Sequence, residues 1–369
     1  MCHEGPGVCP VLEEDIESSL KMTSSLWEGM SRQRVFITGG TGFLGSWLLR
    51  MLCHANDRLN LGLRLTVLTR NAEAFSRKFP RLAAHPVIDF QSGDVRTFPF
   101  RPDHFRYVIH AATDVSNGTI LRDPLTTLDT VIQGTRRVLD FARFAEASDF
   151  LLLSSGAVYG RQDPAVLNVT ETQLTGPDWT QPNAGYGEAK RVAELLCILY
   201  AQSSRLQVKI ARVFAVAGPF LPLAQNFALG DFVCDALRGR PIAIKGDGTP
   251  YRSYIYITDL LAWLWTVLVR GESGRPYNIG SDEAFTIRQI AEMVRDVSGA
   301  SLPITVAQPP NENATAERYV PDVTRAKKEL DLSLTISLPQ AIGKMLSFYR
   351  AAPWDECDIA CERVDHESL

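Results

Sequence analysis

A length of 369 residues, 45% of them apolar and 22% charged, gives room for one large α/β unit with a second lobe. The net charge of −4 offers no electrostatic footprint for nucleic acid, the richest apolar run (Leu260 to Val269) is too short to span a bilayer, and no basic segment followed by an apolar core marks a secretory signal. The seven cysteines, at 2, 9, 53, 197, 234, 357 and 361, include no C-x-x-C pair and no accompanying histidine cluster, which argues against a metal site and for reduced thiols in the cytoplasm.

Residues 1–32 precede the first strand. Within them Val11 to Met30 has apolar residues near helical spacing and is expected to form an amphipathic helix laid on the main domain. The run Val35-Phe36-Ile37-Thr38 then reads as a buried strand, followed by Gly39, Gly42 and Gly45. Phe43 to Cys53, with Phe43 and Leu44 in its first turn, has the apolar spacing of a helix. A strand, a glycine turn and a helix N-terminus together present unpaired N–H groups and a positive dipole end to a pyrophosphate.

Leu63 to Thr69 is the second strand. It ends Thr69-Arg70-Asn71 without the carboxylate that grips the ribose hydroxyls of NAD. Arg70 is either a solvated surface arginine or the partner of an NADP 2′-phosphate, so the cofactor reading is NAD or NADP(H) with a slight lean to NADP(H). The third strand, Val87 to Gln91, runs into Gly93-Asp94-Val95, where Asp94 either accepts from an adenine amino group or caps the next turn. The fourth, Tyr107 to Ala112, ends at Ala111, Ala112 and Thr113, small residues that let a cofactor approach the backbone. Its His110 reads as a core histidine with its hydrogen bonds satisfied.

Leu125 to Ala145 is a long helix, and Phe150 to Leu153 a fifth strand that delivers Ser154, Ser155 and Gly156 at its carboxyl end, where doubly wound sheets bind ligands. Tyr186 and Lys190 open the helix that runs to Tyr200, and at four residues apart they project from one face. An ammonium beside a phenol favours the phenolate and is expected to lower its pKa towards that of a proton shuttle.

With these motifs in this order, the chain resembles an extended short-chain dehydrogenase/reductase of the sugar-nucleotide epimerase/dehydratase group, over roughly residues 33 to 350. The resemblance implies a Rossmann-type doubly wound parallel sheet that binds NAD(P), with a smaller C-terminal α/β lobe for a nucleoside-diphosphate sugar. Residues 33–215 are assigned to the first, though later segments can return to it. Residues 216–350 fall mainly to the second, and 351–369 form an acidic tail. By the family pattern Tyr186 is the base, Lys190 orients the cofactor ribose and tunes the tyrosine, and Ser155 hydrogen-bonds the reacting sugar oxygen. The segment Gly246 to Asp259 matches the family's G-D-G…R-x-x-x-Y-x-x-D run, in which Arg252 contacts the substrate diphosphate. Asn226 aligns loosely with another diphosphate contact, a loop cap being the equal alternative. A homodimer is implied by resemblance alone.

Two departures stand out. Dehydratases of the group carry Asp-Glu just after the serine or threonine, and decarboxylases carry a glutamate at the second position. Here those positions are Gly156 and Ala157, which hold no proton to give. Ala215 replaces an asparagine that many epimerases use on the substrate. The expected activity is therefore hydride transfer at a sugar carbon, C4, either as an epimerase or as a 4-keto-sugar reductase. The alternatives are a 4,6-dehydratase or decarboxylase with another acid, a silent NAD(P)-binding protein, or an enzyme acting on a non-nucleotide ketone.

Overall fold

The computed structural model describes residues 9–113, 123–223, 227–310 and 315–351. Its centre is a seven-stranded sheet made of β1 (Arg34–Thr38), β2 (Arg64–Thr69), β3 (Ile88–Ser92), β4 (Tyr107–His110), β5 (Asp149–Ser155), β6 (Gln207–Val213) and β7 (Pro276–Ile279). The order is β7-β6-β5-β4-β1-β2-β3 and every pairing is parallel. The order in which the chain adds strands therefore reverses between β1 and β4, the switch point at which such sheets leave a crevice outside the carboxyl ends of their strands.

Both faces of the sheet are covered, so its strands are apolar throughout and alternate residues feed two cores. Val35 and Ile37 of β1 join Leu151 and Leu153 of β5 in one cluster; Phe36, Phe150 and Leu152 join the other. The second cluster is closed by α3 (Pro124–Phe144) and α4 (Gly185–Ser203). The first is closed by α1 (Pro10–Met22), α2 (Phe43–Leu59) and α6 (Ile257–Arg270). The apolar run at 260–269 therefore lies in α6, buried on nearly all sides, and no helix among the described residues is long and apolar enough to cross a membrane.

The N-terminal segment is not one continuous helix. α1 stops at Met22, where Thr23 turns its hydroxyl back onto the Ser19 carbonyl, and a short 3-10 turn at Ser24–Leu26 leads to Trp27, stacked on Trp265 of α6 with centroids 4.8 Å apart. The buried Asp15 accepts from the Tyr256 hydroxyl and from Lys344 Nζ, fastening α1 to the C-terminal half of the chain.

Past β6 the chain leaves the sheet and returns to it. α5 (Ala228–Leu237), α7 (Ile287–Ser298) and α8 (Leu338–Ala351) surround short strand pairs, Ile242–Ile244 with Ile304–Val306 and Tyr251–Arg252 with both Phe285–Thr286 and Arg318–Tyr319. Thr286 opens α7 with a capping box to Gln289. Asp259 closes the 246–259 segment in a structural way, since it accepts from the Thr335 amide and hydroxyl and the Ile336 amide.

Candidate functional site

The crevice is bounded on one side by backbone. Gly39 has φ +71, and a Cβ there would stand 2.5 Å from the Ala111 carbonyl carbon. A Cβ on Gly45 would stand 2.1 Å from the Gly39 oxygen, so α2 can start against the turn only with glycine at both places. Gly42 is the N-cap of α2 and no side chain caps that end, leaving the first-turn N–H groups of Phe43 and Leu44 to face a ligand. A backbone cradle with an uncapped helix start fits the pyrophosphate of a dinucleotide.

The outer end of the crevice is charged. Asp94 is chelated by Arg96, which donates from its Nε and second guanidinium nitrogen at 2.9 Å each and from its amide at 2.9 Å. That grip holds the carboxyl down to about 2, and the nearby Arg70 guanidinium adds to it. Asp94 thus caps its own turn, as its carbonyl also accepts from Thr97 and Phe98. Arg70 itself is exposed. Val95 turns its side chain into the core against Gly134, so only its backbone can face the crevice. His110 is fully partnered by the Thr38 and Thr135 hydroxyls, and burial pushes its pKa down to about 3.

Side chains build the other half. Lys190 donates at 2.9 Å to the Thr113 hydroxyl and at 2.9 Å to the Leu153 carbonyl, joining α4 to the ends of β4 and β5. Burial draws its pKa down to about 8 against the opposing charge of Glu194. Tyr186 lies one turn earlier, with the Lys190 Nζ 5.9 Å from its ring centroid. The expected lowering of its pKa is not what the structure holds. Burial raises it, the Ser155 hydroxyl within hydrogen-bonding reach only partly offsets this, and the ammonium is spent on Thr113 and Leu153 instead. Ser155, Tyr186 and Lys190 are nonetheless brought to one place, at the end of β5 and across the crevice from Gly39.

Two further groups went unread in the sequence. Glu194 continues the 186–190 face of α4 by one more turn, and that spacing was a visible signal. It accepts from Ser154 Oγ at 2.6 Å and from Arg212 at 2.7 Å, while Arg212 donates to the Tyr159 hydroxyl at 2.8 Å and Tyr159 to Asn278 at 2.7 Å. This buried network ties the ends of β5, β6 and β7 to α4, with each charge compensated. The second is Tyr319, a phenol close to Ser155 and Tyr186. Its ring lies on Phe214, centroids 4.7 Å apart, and a Cβ on Gly156 would meet the Tyr319 hydroxyl at 2.6 Å. The room for a side chain at 156 is therefore taken by a phenol. No local signal marked it, because a two-residue strand pairing brings it here.

That pairing also places Arg252 beside Tyr319. The Arg252 side chain, 26% exposed, donates to the Tyr251 carbonyl at 2.9 Å and pairs with Glu317 at 3.4 Å. Asn226 lies outside the described residues.

The family model for the NAD dependent epimerase/dehydratase family matches residues 35–280. A UDP-glucuronic acid decarboxylase 1 of Arabidopsis thaliana is 30% identical over 329 residues, covering 87% of this chain and 71% of that protein. Its counterpart in Xenopus tropicalis is 28% identical over 322 residues, covering 86% and 72%. Among solved structures, the UDP-glucuronic acid 4-epimerase of Bacillus cereus superposes with a TM-score of 0.73 at 22% identity, over 86% of this chain and 99% of that one. The dTDP-glucose 4,6-dehydratase DesIV of Streptomyces venezuelae gives 0.72 at 23% identity, over 86% and 97%.

Proposed function

This chain belongs to the NAD-dependent epimerase/dehydratase family, and from that membership we propose that it transfers a hydride at C4 of a nucleoside-diphosphate sugar, as an epimerase or a 4-keto-sugar reductase. The observation that carries the reading is the convergence of Ser155, Tyr186 and Lys190 at one strand end, facing the glycine corner. When bound, the nicotinamide dinucleotide supplies the hydride acceptor and donor. Tyr186 exchanges the proton of the sugar hydroxyl and Ser155 hydrogen-bonds the same oxygen. Lys190, held by Thr113 and Leu153 with its ammonium 5.9 Å from the Tyr186 ring centroid, is placed to orient the cofactor ribose. Gly39, Gly42, Phe43, Leu44, Gly45 and the backbone at Val95 and Ala111–Thr113 hold the dinucleotide, with Asp94 and Arg70 at its adenosine end. Arg70 supports the lean to NADP(H), since an exposed guanidinium next to that end suits a 2′-phosphate. Arg252 takes the sugar's diphosphate.

Dehydration is disfavoured on steric as well as chemical grounds, because an acid at 156 would collide with Tyr319. Decarboxylation keeps separate support from the decarboxylases among the relatives. On a sugar with a C6 carboxylate, a C4 ketone lies β to that group, and carbon dioxide then leaves without an acid at 156 or 157. The buried thiols Cys53 and Cys197 support a reducing compartment, the cytoplasm. Leu195 and Leu199, exposed one turn apart on α4, support a homodimer.

The test is turnover of a panel of nucleoside-diphosphate sugars, neutral and uronic, followed by proton NMR at C4 and by nicotinamide absorbance. Interconversion, ketone reduction or carbon dioxide release identifies which outcome operates; no turnover with NAD or NADP(H) overturns the reading. Arg252→Ala is expected to raise KM about 10- to 100-fold, the worth of a charged hydrogen bond, with kcat less affected. An unchanged KM would move the diphosphate elsewhere.

A further inference from the structure

Ser155 is the last residue of β5, and the chain is gripped on both sides of it. Before it comes Ser154, which by strand alternation shares the α4 face of the sheet with Phe150 and Leu152. The Ser154 hydroxyl donates at 2.6 Å to Glu194 Oε1, and one turn earlier on α4 Lys190 donates at 2.9 Å to the Leu153 carbonyl. The helix that carries Tyr186 thus holds the two residues ahead of the serine. After Ser155 comes the 3-10 turn Gly156–Tyr159, whose Ala157 amide donates to Ser155 Oγ at 3.2 Å. Tyr159 fastens that turn, its hydroxyl donating to Asn278 Oδ1 at 2.7 Å and accepting from Arg212 at 2.8 Å.

Both grips end on one row of the sheet. Ser154 and Asn278 are the register partners of Arg212 on its two neighbouring strands, so the three side chains rise from the same face of β5, β6 and β7. Glu194 comes down on that row from α4 and accepts from Arg212 Nε at 3.0 Å and from its second guanidinium nitrogen at 2.7 Å. Ser154, Tyr159, Glu194 and Asn278 are each no more than 8% exposed. Apolar residues of similar volume commonly stabilise a fold as well as a buried ion pair does. What the pair adds is direction, because a guanidinium fork and a carboxylate fix the angles of the groups they bind.

We propose that Glu194 and Arg212 are positioning residues for the serine. Through Ser154 on one side and Tyr159 on the other, they hold Ser155 so that its oxygen accepts from the Ala157 amide and its own hydrogen turns to the substrate oxygen. The proposal rests on the hydride-transfer reading above, in which that oxygen exchanges its proton with Tyr186. The polar atoms of Glu194 and Arg212 are all engaged within the network, so their contribution is the alignment of the serine and not contact with the sugar.

Ser154→Ala and Tyr159→Phe each remove one oxygen and leave the Glu194–Arg212 pair in place. Each is expected to lower kcat about 10- to 100-fold, as a misplacement of about an ångström does, with KM and melting temperature little changed. In a Ser155→Ala background neither change should lower kcat further, since the group they align is gone. Wild-type kcat in both variants, a fall in melting temperature with kcat intact, or losses that persist undiminished in that background would overturn the proposal. Amide hydrogen exchange needs no substrate. In Tyr159→Phe the Ala157 and Gly160 amides should exchange about 10-fold faster, the worth of one lost hydrogen bond, and unchanged exchange overturns the grip on the turn. Quickened exchange in a protein that turns over no nucleotide sugar would sink the activity reading and leave the alignment of Ser155 standing.

Discussion

The two sides of the crevice are built from different materials. At the end of β1 the surface is backbone: a glycine with φ +71, a second pressed onto its oxygen, and the bare start of α2, all within residues 39–45. At the end of β5 the surface is side chains drawn from four places, Ser155 on β5, Tyr186 and Lys190 on α4, Thr113 after β4 and Tyr319 from a two-residue strand far along the chain. The first half is a local object that tolerates no extra atom. The second is an assembly whose members each tolerate conservative change in packing but not in chemistry. Steric and chemical substitutions should therefore separate the two.

The largest effect belongs to the chemical half. Tyr186→Phe is expected to lower kcat by about 10²- to 10⁴-fold with no change in melting temperature, as befits loss of a proton-transferring group; a variant that kept its rate would show that the phenol is a packing residue. Next comes the steric half. Gly45→Ala puts a methyl 2.1 Å from the Gly39 oxygen, an overpacking worth roughly 1–3 kcal/mol, to be read both in urea unfolding and as weakened dinucleotide binding by calorimetry. Retained affinity would mean that the corner yields more easily than a backbone contact should.

A smaller effect sits at the adenosine end. Arg96 holds the Asp94 carboxyl at about 2 in the folded chain, below its ordinary 3.8. A depressed folded pKa contributes stability that is complete above the unfolded value and is lost as pH falls from about 3.8 to about 2. The stability gap between wild type and Asp94→Asn should accordingly be constant near neutrality and shrink across that acid window; a gap that is flat throughout would mean the ion pair adds nothing. The least effect on the protein itself is expected of Arg70→Ala, which leaves folding untouched and shifts dinucleotide preference from NADP towards NAD in competitive binding. No shift would return Arg70 to the status of a solvated side chain.

Much of this architecture was legible because it depends on short-range periodicity. Apolar runs of four to seven residues marked most of the central strands, and the four-residue step from Tyr186 to Lys190 marked a helix face. The break after Met22 was not legible, since the apolar spacing continues through it and the stacking of Trp27 on Trp265 is a contact across 238 positions of sequence. That the Val95 side chain packs against Gly134 in the core and leaves only its backbone to the crevice was likewise not legible, since Gly134 lies 39 positions away. The ionisation of Tyr186 was misread for a related reason: the sequence shows which groups share a helix face, not which carbonyl and hydroxyl a lysine will prefer.

The amino-acid order alone marked strands alternating with helices, a glycine corner fit for pyrophosphate, and a serine, a tyrosine and a lysine of the right kinds, and the resemblance these carry implied the parallel doubly wound sheet. Periodicity and glycine chemistry act over a few residues, so they survive being read one window at a time. Only the folded chain decided that Arg96 claims Asp94, that Lys190 turns to Thr113, and that Tyr319 occupies the space above Gly156. Each of those depends on which distant groups share a desolvated volume, and burial and pairing there set both the protonation and the direction of every polar side chain.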